Sequence, residues 1–234
     1  MEGWLVGLAV SGLFGGLAYR LGTMDGRGVV VGILLGATIY GGLGPAGFGL
    51  LALFFVLGSG ATRLGRGAKE RRRVAQSQRG ARTVRHALAN GLVAAVAALG
   101  AALRPDFAEP LRLAFAGSLA AATADTLSSE IGQAYGGRPR LFLTFRPVPV
   151  GENGGVTPIG TLAGVVGTVL VGLAASGSGL APDPYRIALA GVVGNAIDSV
   201  LGATLERRGL LNNAEVNLLC TLTGGVTAAA LLLL

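Results

Sequence analysis

Residues 28–62 read GVVVGILLGATIYGGLGPAGFGLLALFFVLGSGAT, 35 consecutive positions without a charged side chain. A helix crosses a bilayer with roughly 17–25 apolar residues, so the stretch is too long for one crossing and long enough for two. The division falls at Gly41-Gly42-Leu43-Gly44-Pro45, because proline disfavours the helical conformation of the residue before it and glycine favours turns. Two membrane helices joined at this point set the reading of everything on either side.

The whole chain has the same character. Of its 234 residues 51% are hydrophobic and 41 are glycine, while 13% are charged, about half the usual share of a soluble domain. Mean hydropathy is +0.63. Despite a net charge of +7, such a composition excludes a disordered or nucleic-acid-binding chain. Further apolar runs complete eight expected helices, at 3–22, 28–43, 46–62, 86–103, 110–126, 156–176, 185–203 and 214–233. The expected fold is all-α: a polytopic transmembrane bundle, one integral membrane domain over residues 1–234, with cytoplasmic loops forming the site. The first run follows no basic segment and meets Arg20 rather than a small-residue cleavage site, so it reads as a retained span and not a signal peptide. Small residues four apart, such as Gly12/Gly16, Gly32/Gly36 and Gly160/Gly164, permit close helix approach in lipid. Cys220, the single cysteine, reads as packing.

Orientation follows from counting cations. With the loop after the third helix inside, 16 of the 19 basic residues lie on the cytoplasmic side, leaving Arg104, Arg112 and Arg186 outside. This is a strong positive-inside bias and puts both termini outside. Nine of the 16 fall between Arg63 and Arg85, with Glu70 the one acidic residue among them. Such a cluster serves as a topology signal or contacts anionic lipid. Its distal part, from Arg79 to His86, adjoins Asn90-Gly91 and is in reach of phosphate oxygens near a site there.

Carboxylates inside apolar helices carry the chemistry, since a charge in the membrane costs about 2.5–3.5 kcal/mol or more and faces a cavity or a partner. Asp125, with Glu130 beyond it, sits at the expected cytoplasmic end of the fifth helix, and Asp198 near that of the seventh. Asn195 and Asp198 share a helix face, as do Asn213 and Asn217. Oxygen ligands without a His or Cys cluster suit Mg²⁺, which takes one or two carboxylates and keeps water and phosphate for the rest of its shell. The plainer alternative is that the two aspartates pair with arginines or join helices. Between the fifth and sixth helices runs Arg146-Pro147-Val148-Pro149-Val150-Gly151-Glu152-Asn153-Gly154-Gly155-Val156-Thr157-Pro158. Backbone N–H groups of such a glycine-rich turn, followed by a helix N-terminus, form an anion cradle, and Arg146 is placed to clamp a phosphate. An ordinary turn before a helix has the same composition. What distinguishes this one is convergence, because all these polar residues fall at the same face. Lys69 is the only lysine and no P-loop motif is present, so any nucleotide chemistry uses another kind of site.

Taken in order, Arg82, Ala89-Asn90-Gly91, Ala124-Asp125-Thr126, Ser129-Glu130, Pro149-Val150-Gly151, Asn153-Gly154-Gly155-Val156-Thr157, Gly160-Thr161, Asn195 with Asp198, and Leu211-Asn212-Asn213 with Val216-Asn217 resemble the plant phytyl-phosphate kinase family. That family is long catalogued in prokaryotes as integral membrane proteins of unknown function. The resemblance covers most of the chain from about Arg79 to Asn217 and departs at Arg85-His86, where the family usually has Gln-Val. It implies a kinase that phosphorylates a phytyl or polyprenyl monophosphate with a nucleoside triphosphate, plausibly CTP, and a distant kinship with CTP-using phytol and dolichol kinases and CDP-lipid synthases. Carried over to this chain, it implies Mg²⁺ on Asp125, Asp198 and Glu130, and Arg82 and Arg146 offsetting phosphate charge. Asn153, Gly154, Gly155 and Thr157 would cradle phosphates. Asn90, Asn195, Asn212, Asn213 and Asn217 would position base, ribose or metal-bound water. The expected partners are the membrane lipid substrate and the nucleotide, with no nucleic acid, and a homo-oligomer is compatible. Two rivals remain: an ion- or proton-coupled transporter using the aspartates as cation sites, and a cytidylyltransferase making a CDP-lipid.

Overall fold

A computed structural model describes residues 2–71 and 82–233; Arg79, Gly80 and Ala81 of the basic segment lie outside the described residues. Eight α-helices are present among them: α1 (Glu2–Arg20), α2 (Gly26–Leu64), α3 (Arg66–Arg71), α4 (Val84–Leu103), α5 (Ala108–Tyr135), α6 (Pro158–Gly177), α7 (Pro184–Leu201) and α8 (Asn213–Ala230). Five of these, α2, α4, α6, α7 with the turn that continues it, and α8, are long and apolar enough to cross a membrane. The chain is an integral membrane protein with an all-α bundle.

The decisive stretch folds as its sequence demands. At Gly44, φ is 65° and ψ −160°, a backbone region essentially reserved for glycine, and Pro45 starts the second arm. The two arms run back along each other: Gly28 and Gly58 both lie against Arg82, and the Tyr40 and Phe48 rings meet at 6.2 Å. Counting α2 as two arms, the chain passes up and down the bundle eight times.

At the centre stands α5, packed against α2, α4, α6, α7 and α8. Residues 115–124, Phe-Ala-Gly-Ser-Leu-Ala-Ala-Ala-Thr-Ala, are buried on every face. Its small side chains let neighbours approach to backbone distance, the packing mode that replaces hydrophobic driving force in lipid. A Cβ on Gly224 of α8 would lie 2.6 Å from Ala121 Cβ, and one on Gly191 of α7 2.8 Å from Ala120 Cβ. On α6 the two faces separate cleanly. Gly160, Gly164 and Gly167 turn towards α5, while Leu162, Val165, Val166, Val169, Leu170 and Leu173 are exposed as a helical stripe suited to lipid. Cys220 is buried and its thiol donates to Ala121 O at 3.8 Å, in keeping with a packing role.

Two ends differ from the sequence expectation. The fifth helix continues to Tyr135 rather than stopping at 126, because Leu127, Glu130, Gly132 and Ala134 still face protein; Glu130 is therefore helical. And α7 ends in a π-helical turn, Gly202–Glu206. Between α5 and α6 a small hairpin pairs β1 (Arg140–Leu141) antiparallel with β2 (Gly155–Val156). The α4 start, the α5 and α7 C-termini, the α6 and α8 starts and this hairpin all gather at one end of the bundle.

Candidate functional site

Two adjoining polar cavities open at that end. The larger, about 300 Å³, lies under the glycine-rich hairpin and is lined by Asp125, Asn153, Thr157, Asn195, Asp198 and Glu206 among others. The smaller, about 130 Å³, is lined by Arg82, Asn90, Asp125, Glu130, Asn213 and Asn217 among others. Asp125, Ser129, Gln133 and Asn213 line both, so the Asp125 carboxylate stands in their common wall.

Each side chain is held by its element. Ser129, one turn on from Asp125, donates to Asp125 Oδ1 at 3.4 Å. Asn195 on α7 donates from Nδ2 to Ser128 Oγ at 3.1 Å, fixing α7 to α5. On the next turn Asp198 lies against Asp125, and its Oδ2 is buried without a hydrogen-bond partner. Like charges in contact disfavour double ionisation unless a cation joins them. The donor set of two carboxylates with amides and hydroxyls nearby fits Mg²⁺, which leaves much of its shell to water and phosphate. Among the described residues no three His, Cys, Asp or Glu side chains form a metal-holding group. Glu130 is otherwise engaged. Although it lines the smaller cavity, it accepts a hydrogen bond from the buried Lys69 ammonium of α3.

The hairpin is clamped in place. Gly154, at φ 72°, packs on the π turn so closely that a Cβ there would overlap the Ala203 backbone, and Arg207 pairs with Glu152 at 2.9 Å. Among the described residues the N–H groups of Asn153 and Gly154 donate to no backbone carbonyl, and both residues line the larger cavity. Gly155 donates to Glu152 O at 3.0 Å and lines the same cavity. Thr157 caps α6 by accepting from Gly160 N at 3.2 Å. A glycine-rich turn running into a capped helix N-terminus is the arrangement that binds anions.

Arg82 occupies the far side of the smaller cavity. Its guanidinium stacks over Phe54 at 4.7 Å and Phe55 at 5.6 Å, contacts worth about 0.5–2 kcal/mol each. Burial pushes its pKa down to about 10, opposed by the carboxylates of Glu130 and Asp125, and it stays cationic at neutral pH. Beside it Asn90 and Asn217 are buried, each with an unpartnered Oδ1; Asn90 Nδ2 donates to His86 O at 3.0 Å. His86 itself accepts from Thr83 N at 3.3 Å, a capping contact.

Two expected site residues fall outside both cavities. Arg146 is exposed beyond the hairpin turn, where its carbonyl accepts from Leu141 N at 2.9 Å. Asn212 is the N-cap of α8, accepting from Ala214 N at 3.0 Å and Glu215 N at 3.2 Å, with Glu215 returning the contact in a capping box. The sequence reading also missed Glu206, which lines the larger cavity and interacts with Asn213. Eight residues from Asp198 on a regular helix amounts to about 80° of rotation, so spacing alone does not align the two; the π turn was the missing signal.

An uncharacterized membrane protein of Methanocaldococcus jannaschii is 37% identical over 207 residues, covering 87% of this chain and 83% of its own. The chloroplast protein VTE6 of Arabidopsis thaliana is 34% identical over 215 residues, which span 88% of this chain and 64% of that one. An uncharacterized membrane protein of Synechocystis is 34% identical over 202 residues, 83% of this chain and 77% of its own. No solved structure matches the chain. Residues 9–225, reaching from α1 to α8 and containing both cavities, match the model described as integral membrane protein DUF92, and the chain belongs to that family.

Proposed function

We propose that the protein is a membrane kinase that transfers the terminal phosphoryl group of a nucleoside triphosphate, plausibly CTP, to an isoprenyl monophosphate of the phytyl or polyprenyl type. The observation that carries the reading is the position of Asp125 in the wall common to two polar cavities. One has a glycine-rich anion cradle and the other a half-buried arginine, as a donor and an acceptor phosphate require. Membership of a family with a chloroplast relative, and the resemblance of the motif set to the phytyl-phosphate kinases, support the isoprenoid class.

The acceptor is already an anion, so the reaction needs alignment and charge neutralisation more than a base. An acceptor phosphate oxygen bonds to the γ-phosphorus as its bond to the β-phosphate oxygen breaks, giving lipid diphosphate and nucleoside diphosphate. Asp125 and Asp198 would hold Mg²⁺, which when bound neutralises and orients the donor phosphates. Asn153, Gly154, Gly155 and Thr157 receive those phosphates through backbone and hydroxyl donors. Arg82 offsets charge on the acceptor side, and Asn90, Asn213 and Asn217 order water between the two. The site end of the bundle faces the cytoplasm, where nucleotides are found, and both termini lie outside.

The test is incubation of purified protein with Mg²⁺, γ-labelled CTP and a panel of isoprenyl monophosphates. Labelled lipid diphosphate with release of CDP is expected. Pyrophosphate release would instead identify cytidylyl transfer, and solute uptake by proteoliposomes without nucleotide would identify a transporter.

A further inference from the structure

The first two helices carry none of the polar motifs, yet they enclose a third cavity. Between α1, both arms of α2 and the start of α4 runs a narrow groove of about 70 Å³, walled by Phe14, Leu35, Phe48, Leu51, Phe54 and Phe55 among others. Its polar lining is limited to Ser11, Arg82 and His86. The last two also line the smaller polar cavity beside Asp125. An apolar channel and an acidic, amide-lined cavity thus meet at one guanidinium. Among the described residues that half-buried guanidinium forms no ion pair within 4.0 Å, although a charge withdrawn from water is costly without one. The combination of an apolar cleft and an unpaired cation at its mouth is complementary to an amphiphile with one anionic head. A neutral lipid leaves the charge unmet, and a free phosphate leaves the groove empty.

We propose that this groove holds the head-proximal part of the isoprenyl chain, with the phosphate on Arg82 in the smaller polar cavity, so that acceptor and donor reach each other across Asp125. This rests on the kinase reading above. It assigns α1 and α2 to recognition of the acceptor chain and leaves the hairpin and α5–α8 to the nucleotide.

The test is photolabelling of the purified protein in phospholipid nanodiscs with a long-chain isoprenyl monophosphate carrying a diazirine near its head, followed by mapping of the adducts. Adducts are expected on groove residues of α1, α2 and α4, displaced by unlabelled isoprenyl monophosphate and not by the corresponding alcohol. Plugging the groove with Ala52→Phe, or from the opposite wall with Ala87→Leu, lowers groove labelling by about tenfold or more, while stabilisation by CTP reports that each variant is folded. Adducts on the outer faces of α5–α8, or equal groove labelling by a diazirine phospholipid that the isoprenyl phosphate does not displace, would overturn the assignment. Labelling does not depend on turnover, so groove adducts in a protein without kinase activity would sink the catalytic reading alone, and turnover with adducts elsewhere would sink the groove alone.

Discussion

Asp125 and Asp198 come from different helices and meet without a positive side chain between them. On the kinase reading proposed above, Asp125→Asn or Asp198→Asn would remove one of two carboxylates offered to a divalent ion. Because such an ion contributes several kcal/mol of charge stabilisation, transfer should fall about a thousandfold or more in single-turnover assays on purified variants, with membrane insertion and the melting temperature in detergent unchanged. Asn212 gives the opposite signature. As the N-cap of α8, its change to alanine should cost about 1 kcal/mol of stability and leave the KM for nucleotide as it was. The aspartates were legible from sequence because a carboxylate in an apolar helix has so few bland explanations. An asparagine beside a helix start serves a cap and a ligand equally well, and in Asn212 the structure shows the cap, in a capping box with Glu215 and outside both cavities. Glu130 was read as a third metal ligand, and the Lys69 contact that occupies it spans 61 residues, which no local pattern reveals.

At the scale of elements, the glycine-rich hairpin is pressed against the turn that ends α7. Gly154 combines a left-handed backbone with a position where a Cβ overlaps Ala203, so Gly154→Ala should loosen the cradle and raise the KM for nucleotide about tenfold or more, with a smaller change in kcat. The reversal in α2 makes a purely structural prediction. Gly44→Ala forces a side chain into the conformation at φ 65° and should cost about 1–3 kcal/mol, seen as a lower melting temperature in detergent. That reversal was readable in advance because glycine and proline state it directly. The length of α5 was not. The part beyond 126 carries Ser128, Ser129 and Glu130, which look like a loop until Asn195 of α7 and Lys69 of α3 supply partners for Ser128 and Glu130.

Across the whole molecule, the polar residues and most cations gather at one end of the bundle, where the loops following α1, α2, α5 and α7 also lie. Arg104, in the α4–α5 connection, and Arg112 and Arg186, near the starts of α5 and α7, lie at the other end. Cysteines introduced at the hairpin tip, for instance Leu143→Cys, should resist an impermeant thiol reagent in intact cells, while Asp106→Cys should react. The bundle itself was foreseeable from composition, but the central placing of α5 was not. Its alanine and serine content lowers its hydropathy, and it needs none because it faces protein rather than lipid.

The central claim is that the two aspartates serve phosphoryl transfer to a lipid. Its most direct measurement is the fate of the γ-phosphate of CTP when purified wild-type, Asp125→Asn and Asp198→Asn proteins are given Mg²⁺ and phytyl monophosphate. The prediction is label in phytyl diphosphate for the wild type and almost none for either variant. Wild-type protein that is folded yet transfers no label, or variants that transfer it at the full rate, would contradict the account.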